Sequence, residues 1–200
     1  MICFFTVSKS HYKIIIVSLV LILLFSFFWI FNYVNADNES YINVPIIMYH
    51  SILKSQSGDY IVHPEVLEND LAYISSKGYT TITMTDLINY VYKDIPLPKK
   101  PIIITFDDGH YNNLGYAVPL LKKYNMKAVV SIVGKYTDTF SNSDEANLNY
   151  SYLRWKDIKK LIDEGTIEFQ NHTYNLHSIG TRKGCMKKKN ESLEDYTTIL

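Results

Sequence analysis

The stretch Ile102-Ile103-Ile104-Thr105-Phe106-Asp107-Asp108-Gly109 joins an almost uniformly apolar run to two acids and a glycine. Such a run predicts a strand that is buried on both faces, as in a parallel sheet covered by helices. Asp108-Gly109 alone is typical of a tight turn. Two adjacent carboxylates at the end of a buried strand, however, repel each other unless a proton or a cation lies between them. The stretch therefore predicts an α/β fold with a polar centre at the end of an inner strand.

Short β-branched runs and amphipathic stretches alternate on both sides of this strand. We predict strands at 44–49, 79–83, 102–106, 127–133 and 166–170, helices at 64–77, 86–93, 114–124, 155–164 and 193–200, and a polar loop at 134–151. Thr85 is the expected N-cap of the second helix. The alternation is typical of parallel strands with right-handed crossovers. A closed eight-unit barrel takes about 250 residues, so we predict a distorted, incomplete (β/α) barrel.

The N-terminal part of the chain contains an uncharged apolar run, IIIVSLVLILLFSFFWIF, at residues 14–31. It is long enough to cross a hydrocarbon core of about 30 Å. Lys9 and Lys13 precede it, whereas Asp37 and Glu39 follow it. The positive-inside rule therefore predicts a single-pass membrane protein whose domain lies outside the cell.

These features divide the chain into four predicted segments: a cytoplasmic N-terminus (1–13), a transmembrane anchor or signal peptide (14–34), a linker (35–43) and a domain (44–200). A signal peptide cleaved after Ala36 is the alternative to a retained anchor. Both alternatives export the domain. The apolar run is longer than the roughly 7–15 residues usual in signal peptides, which favours the anchor.

Charge and cysteine content exclude several classes of protein. The 200 residues include 20 Lys plus Arg and 20 Asp plus Glu, and every acid lies after residue 36. The exported part is thus slightly acidic, which excludes the basic surface of a nucleic-acid-binding domain. Cys3 and Cys185 lie on opposite sides of the predicted span, so a disulfide scaffold and a cysteine-rich zinc site are excluded as well.

Titratable residues follow three of the predicted strands. His50 follows the first, Asp107 and Asp108 follow the third, and His172 follows the fifth. The carboxyl ends of parallel strands meet at one edge of a sheet, so we expect these side chains to converge. His177 comes five residues after His172, a spacing that neither a helix nor a strand brings to one face, so a loop must do so. One carboxylate and two imidazoles suit Zn²⁺ or another divalent transition metal.

Three motifs resemble one enzyme family. Thr105-Phe106-Asp107-Asp108-Gly109 resembles the first motif of the polysaccharide deacetylases, the NodB-homology or carbohydrate esterase family 4 group. His172-Thr173-Tyr174-Asn175-Leu176-His177 resembles their histidine metal motif, in the longer-spaced form of the poly-N-acetylglucosamine deacetylase branch. Pro45-Ile46-Ile47-Met48-Tyr49-His50 resembles the N-terminal segment of that branch, in which the catalytic histidine comes first. The resemblance covers roughly residues 44–200.

The resemblance implies a role for each candidate residue. Asp107 would be the general base and His50 the general acid, whereas Asp108, His172 and His177 would bind the metal. The implied ion is Zn²⁺, with Co²⁺ or Ni²⁺ as alternatives. The implied fold is the distorted barrel of the NodB type.

The implied function is metal-dependent N-deacetylation of an extracellular polysaccharide that contains N-acetylglucosamine. The family continues with a further strand and an aromatic-proline motif, so we expect that the domain ending at Leu200 is C-terminally incomplete. Two alternatives stay open: a peptidoglycan N-acetylglucosamine deacetylase, and an inactive truncated relative that only binds glycan. A metal-dependent phosphoesterase is disfavoured because no second cluster of histidines or carboxylates could hold a second ion.

Overall fold

The computed structural model of the chain describes residues 9–36, 42–177, 182 and 184–199. The helices are α1 (Lys9–Ala36), α2 (Pro64–Ser76), α3 (Met84–Lys93), α4 (Val118–Lys123), α5 (Gly134–Ser143), α6 (Trp155–Glu164) and α7 (Leu193–Thr197), with a π-helical turn at Asn113–Ala117 before α4. The strands are β1 (Ile46–Tyr49), β2 (Ser51–Ile52), β3 (Ile61–Val62), β4 (Thr80–Thr81), β5 (Pro101–Asp108), β6 (Ala128–Val133) and β7 (Ile167–Thr173). The chain divides into two compact units between Ile42 and Asn43.

The first unit contains α1, an uninterrupted helix of 28 residues. Every side chain from Tyr12 to Phe31 is exposed, and this 20-residue stretch is apolar enough to cross a membrane. At 1.5 Å per residue it extends about 30 Å, the thickness of a hydrocarbon core. By length and composition α1 is a candidate transmembrane span. Signal sequences meet the same two criteria. Residues 1–8 of the predicted cytoplasmic segment and 37–41 of the predicted linker lie outside the described residues.

The second unit is built on a parallel sheet in the order β1-β5-β6-β7, and β4 pairs with the first two residues of β5. Its register places Ile46 opposite Ile103 and Thr105 opposite Val129. In the described part of the chain the sheet is open, with β1 and β7 at the ends of this order. The predicted α/β class with parallel strands is confirmed. A separate short ladder, β2 with β3, was not predicted.

The core explains why β5 occupies the middle of the sheet. All of its residues are buried except Asp107, which is half-buried. Ile102, Ile104 and Phe106 point into the layer between the sheet and α2, α4 and α6, whereas Ile103 joins a smaller cluster on the opposite face. The helix residues of the larger layer include Leu67, Leu71, Leu121, Ile158 and Leu161. Burial on both faces is what the apolar run predicts.

The prediction of a loop at residues 134–151 was wrong for its first part. The first ten of these residues form α5, which follows β6 directly. Its only large apolar side chains are Tyr136 and Phe140, which pack against Tyr152 and are too few to predict a helix from the sequence.

Several element ends also differ from prediction. The N-cap of α3 is Thr83 rather than Thr85, because Thr83 and Asp86 form a reciprocal capping box. β5 and β7 run further than predicted, so Asp108 is the last residue of β5, and His172 lies within β7 rather than after it.

Two predicted helices also differ from the structure. The helix predicted at 114–124 is a π-helical turn followed by α4, and Pro119 lies in the first turn of α4. The predicted helix at 193–200 ends at Thr197, and Leu200 lies outside the described residues.

Candidate metal and catalytic site

A sharp backbone turn at the end of β5 positions the two aspartates. Asp108 and Gly109 both have positive φ, at 70° and 73°. A Cβ at Gly109 would lie 2.9 Å from Ile132 Cγ2, closer than real side chains approach. Gly109 is therefore needed both for its left-handed backbone and for its contact with β6.

The two histidines come from the end of β7 and from the segment that follows. His172 is the next-to-last residue of β7, and His177 lies in irregular backbone five residues later. The Leu176 backbone N–H donates to Thr173 Oγ1 at 3.1 Å and folds this segment back. As a result the two imidazole rings meet edge to face, with their centroids 5.1 Å apart. The prediction that a loop brings the rings together is confirmed.

Asp108, His172 and His177 form a group that could hold a metal ion. One ligand atom from each residue lies within 4.8 Å of the others. Asp108 Oδ1 is 2.9 Å from His177 Nε2 and 3.8 Å from His172 Nε2. Asp108 is buried, and no donor among the described residues hydrogen-bonds its Oδ1. A cation between the three side chains would satisfy this buried oxygen, so the residues present fit a divalent transition metal.

Asp107 lies beside this group. Its Oδ2 is 3.8 Å from His172 Nε2, and about a fifth of its side chain is exposed to solvent. It is thus more accessible than Asp108, whose side chain is 9% exposed. Asp107 is therefore the solvent-accessible carboxylate of the pair.

His50 lies directly after β1, the neighbour of β5. Tyr49 is opposite Phe106 at the end of the ladder, so His50 leaves β1 at the edge where β5 ends, and its charge acts on Asp108. Its ring packs against Tyr60 with the centroids 4.9 Å apart. All five predicted site residues are therefore at the carboxyl edge of the sheet, and their individual roles stay predictions.

The electrostatics of the site favour an ionised Asp108. Burial raises the pKa of this carboxyl, but its contact with His110 and the charges of His177, His110 and His50 outweigh burial and hold the pKa below its usual range. His110 Nε2 lies 3.6 Å from Asp108 Oδ2. The site thus presents an anionic ligand to a cation.

An aromatic wall beside the histidines was not predicted. His110 stacks on Tyr152 at 4.8 Å, Tyr152 contacts Tyr136 at 4.5 Å, and Tyr136 meets His177 edge to face at 6.1 Å. Burial, with smaller contributions from Tyr136 and Asp108, raises the pKa of Tyr152 to about 12. The position of His110 directly after Gly109 is the one sequence signal that could have identified this wall.

Comparisons with known proteins identify the family of this chain. Residues 94–198, just over half of the chain, match the family described as Polysaccharide deacetylase. YxkH of Bacillus subtilis (strain 168) is 37% identical over 92 residues, which are 46% of this chain and 32% of that protein. A poly-beta-1,6-N-acetyl-D-glucosamine N-deacetylase of Staphylococcus aureus is 25% identical over 162 residues, 80% of this chain and 53% of that protein.

A solved structure shares the fold. The de-N-acetylase from Aggregatibacter actinomycetemcomitans matches with a TM-score of 0.63 at 22% identity, over 78% of this chain and 68% of that chain. At this identity the likeness concerns the fold alone. The chain spans about half or less of the length of the two curated relatives.

Proposed function

The chain belongs to the polysaccharide deacetylase family, and from this membership we propose that it removes N-acetyl groups from an extracellular polysaccharide containing N-acetylglucosamine. The observation that carries the proposal is the convergence of Asp107, Asp108, His172 and His177 at the carboxyl edge of the sheet. The similarity to a poly-beta-1,6-N-acetyl-D-glucosamine N-deacetylase supports this class of substrate.

Asp108, His172 and His177 would hold the metal ion, for which we propose Zn²⁺, with Co²⁺ and Ni²⁺ as substitutes. Three protein ligands leave coordination positions for water and substrate, as in catalytic zinc sites. When bound, such a cation supplies Lewis acidity toward an acetamide carbonyl and lowers the pKa of water. The three ligands therefore determine where the scissile amide must bind.

Asp107 is the proposed general base. Its partly exposed carboxylate lies 3.8 Å from His172 Nε2, beside the ligand group rather than within it. From that position it takes a proton from the water that attacks the acetamide carbonyl carbon.

His50 is the proposed general acid. It follows β1 at the edge of the sheet where β5 ends, and Tyr60 packs against its ring. A protonated imidazole there donates its proton to the amide nitrogen as the carbon–nitrogen bond breaks. The products are acetate and a free glucosamine amine.

α1 supports a proposal for the location of the enzyme. We propose that this helix is retained as a single-pass anchor with the catalytic unit on the extracellular side. Cleavage after Ala36 would instead release the same unit as a secreted protein.

The full chain, purified in detergent and loaded with Zn²⁺, tests the proposed activity on a β-1,6-linked N-acetylglucosamine oligomer. We expect acetate and new primary amines in equal amounts, loss of both with a chelator, and recovery with Zn²⁺. Asp107→Asn should lower the rate by about 10²-fold or more, because a positioned base contributes at least that factor. Asp163→Asn, which changes an exposed aspartate of α6, is the matched control.

Peptidoglycan fragments assayed in parallel separate the two substrate classes. Acetate release from these fragments alone would assign the chain to peptidoglycan instead. A folded, metal-loaded protein that releases acetate from neither substrate would contradict the proposal.

A further inference from the structure

Tyr174 lies in the short segment between the two histidine ligands, and α5 contacts it at three positions. The Lys135 backbone N–H donates to the Tyr174 carbonyl at 2.8 Å. The Tyr174 hydroxyl donates to Asp138 Oδ2 at 2.9 Å. The tyrosine ring packs so closely on Gly134 that a Cβ there would lie 2.7 Å from Tyr174 Cδ2. Both the backbone and the ring of Tyr174 are therefore held by one helix.

Asp138 connects this contact to a second helix. Its Oδ1 accepts a hydrogen bond from Trp155 Nε1 at 2.9 Å, and Trp155 is the first residue of α6. The Trp155 backbone N–H also donates to Ser141 Oγ at 2.9 Å. The hydrogen bonds from Trp155 and Tyr174 hold the pKa of Asp138 below its usual range. An ionised carboxylate makes both hydrogen bonds charge-assisted, and thus stronger than neutral ones.

From these contacts we propose that Asp138 is a positioning residue for the metal site. By binding Tyr174 and Trp155 together, it holds the segment between His172 and His177 in the form that lets both imidazoles reach Asp108. The inference rests on the metal site of the proposed function. Asp138 itself is not among the residues that could ligate the ion.

The physical reason is preorganisation. A segment that must deliver two ligands from positions five residues apart has many alternative conformations, and a metal site loses affinity when its ligands are not held. Changes to residues that support metal ligands typically lower metal affinity by 10–100-fold. Tyr174 is exposed and Asp138 is only partly buried, which places the expected effect at the lower end of this range.

The test is a Co²⁺ titration of the full-length protein in detergent, which reports dissociation constants and visible absorption spectra without any substrate. Tyr174→Phe and Asp138→Ala should each weaken Co²⁺ binding about tenfold and change the spectrum. The double variant should bind no more weakly than Asp138→Ala, because the two residues act through one hydrogen bond. Tyr150→Phe is the matched control, since it removes an exposed tyrosine hydroxyl that donates to Glu145.

Each outcome decides the question. Unchanged Co²⁺ affinity and spectrum in folded Tyr174→Phe and Asp138→Ala would overturn the positioning role and leave the proposed function intact. Additive losses in the double variant would also overturn it. A wild-type protein that binds no Co²⁺ would instead refute the metal site of the proposed function, and this inference with it. If Asp138→Ala fails to fold, Tyr174→Phe, which removes a single hydroxyl, decides alone.

Discussion

At the scale of single residues, Asp108 Oδ1 lies 2.9 Å from His177 Nε2, and no described donor hydrogen-bonds it. A buried anionic oxygen that accepts no hydrogen bond is costly. The backbone at this residue is also left-handed, a conformation that non-glycine residues seldom adopt. A buried oxygen without a hydrogen bond and a left-handed backbone at the same residue are typical of a ligand site. Both features are consistent with an ion bound at Asp108.

Gly109→Ala tests how far the site depends on this turn. The new alanine must adopt a positive φ of 73°, and its Cβ would lie 2.9 Å from Ile132 Cγ2. We expect a loss of folding free energy of roughly 1–3 kcal/mol, and a lower bound-metal content because the neighbouring Asp108 must shift. Chemical denaturation and elemental analysis measure the two effects.

Gly165→Ala is the matched control for Gly109→Ala. Gly165 has a similar φ of 69°, but a Cβ there meets no atom within 4 Å. Gly165→Ala should lower the free energy of unfolding by about 1 kcal/mol through the backbone alone and leave the bound-metal content unchanged. Equal costs in the two variants, with metal retained in both, would show that the contact with Ile132 is unimportant.

At the scale of the elements, strands and helices with strong apolar patterns could be predicted from the sequence. β5 and β6 are buried over most of their length, and α2 and α6 each bury one apolar face. β7 was predicted too short, because Gln170 and Asn171 are exposed and interrupt its apolar pattern. Tertiary pairing with β6 extends it to Thr173, and a register shift between Ile132 and Val133 leaves His172 unpaired in the ladder.

α5 could not be predicted, for a reason that also concerns the site. Its sequence, GKYTDTFSNS, is mostly polar, and it contacts Tyr174, Trp155 and Tyr152, none of which belongs to the buried core. Such contacts exist only after the chain has folded. The candidate ligands could be recognised because they occur in motifs, whereas Asp138 lies in no motif. Its relation to the metal segment became visible only in three dimensions.

At the scale of the whole molecule, the chain contains a candidate membrane helix and a unit with the fold of a polysaccharide deacetylase. If α1 is a retained anchor, the full-length protein should fractionate with membranes. Protease added to intact spheroplasts should then remove the second unit, because it lies on the outer face. Immunoblotting of the membrane and soluble fractions measures this, with a cytoplasmic protein as the control for intact cells. A soluble product that begins at Asp37 would instead indicate a cleaved signal peptide.

The central claim is that Asp108, His172 and His177 bind one divalent cation while Asp107 remains free as the base. The most direct measurement is the bound-metal stoichiometry of the wild type and of Asp107→Asn, Asp108→Ala, His172→Ala and His177→Ala after loading with Zn²⁺ and removal of free ion. We predict one ion per chain in the wild type and in Asp107→Asn, and strongly reduced metal in the other three variants, because each loses one of three protein ligands. Equal metal loss in all four variants would make Asp107 a ligand, and full occupancy in the three ligand variants would place the ion elsewhere; either result would contradict the account.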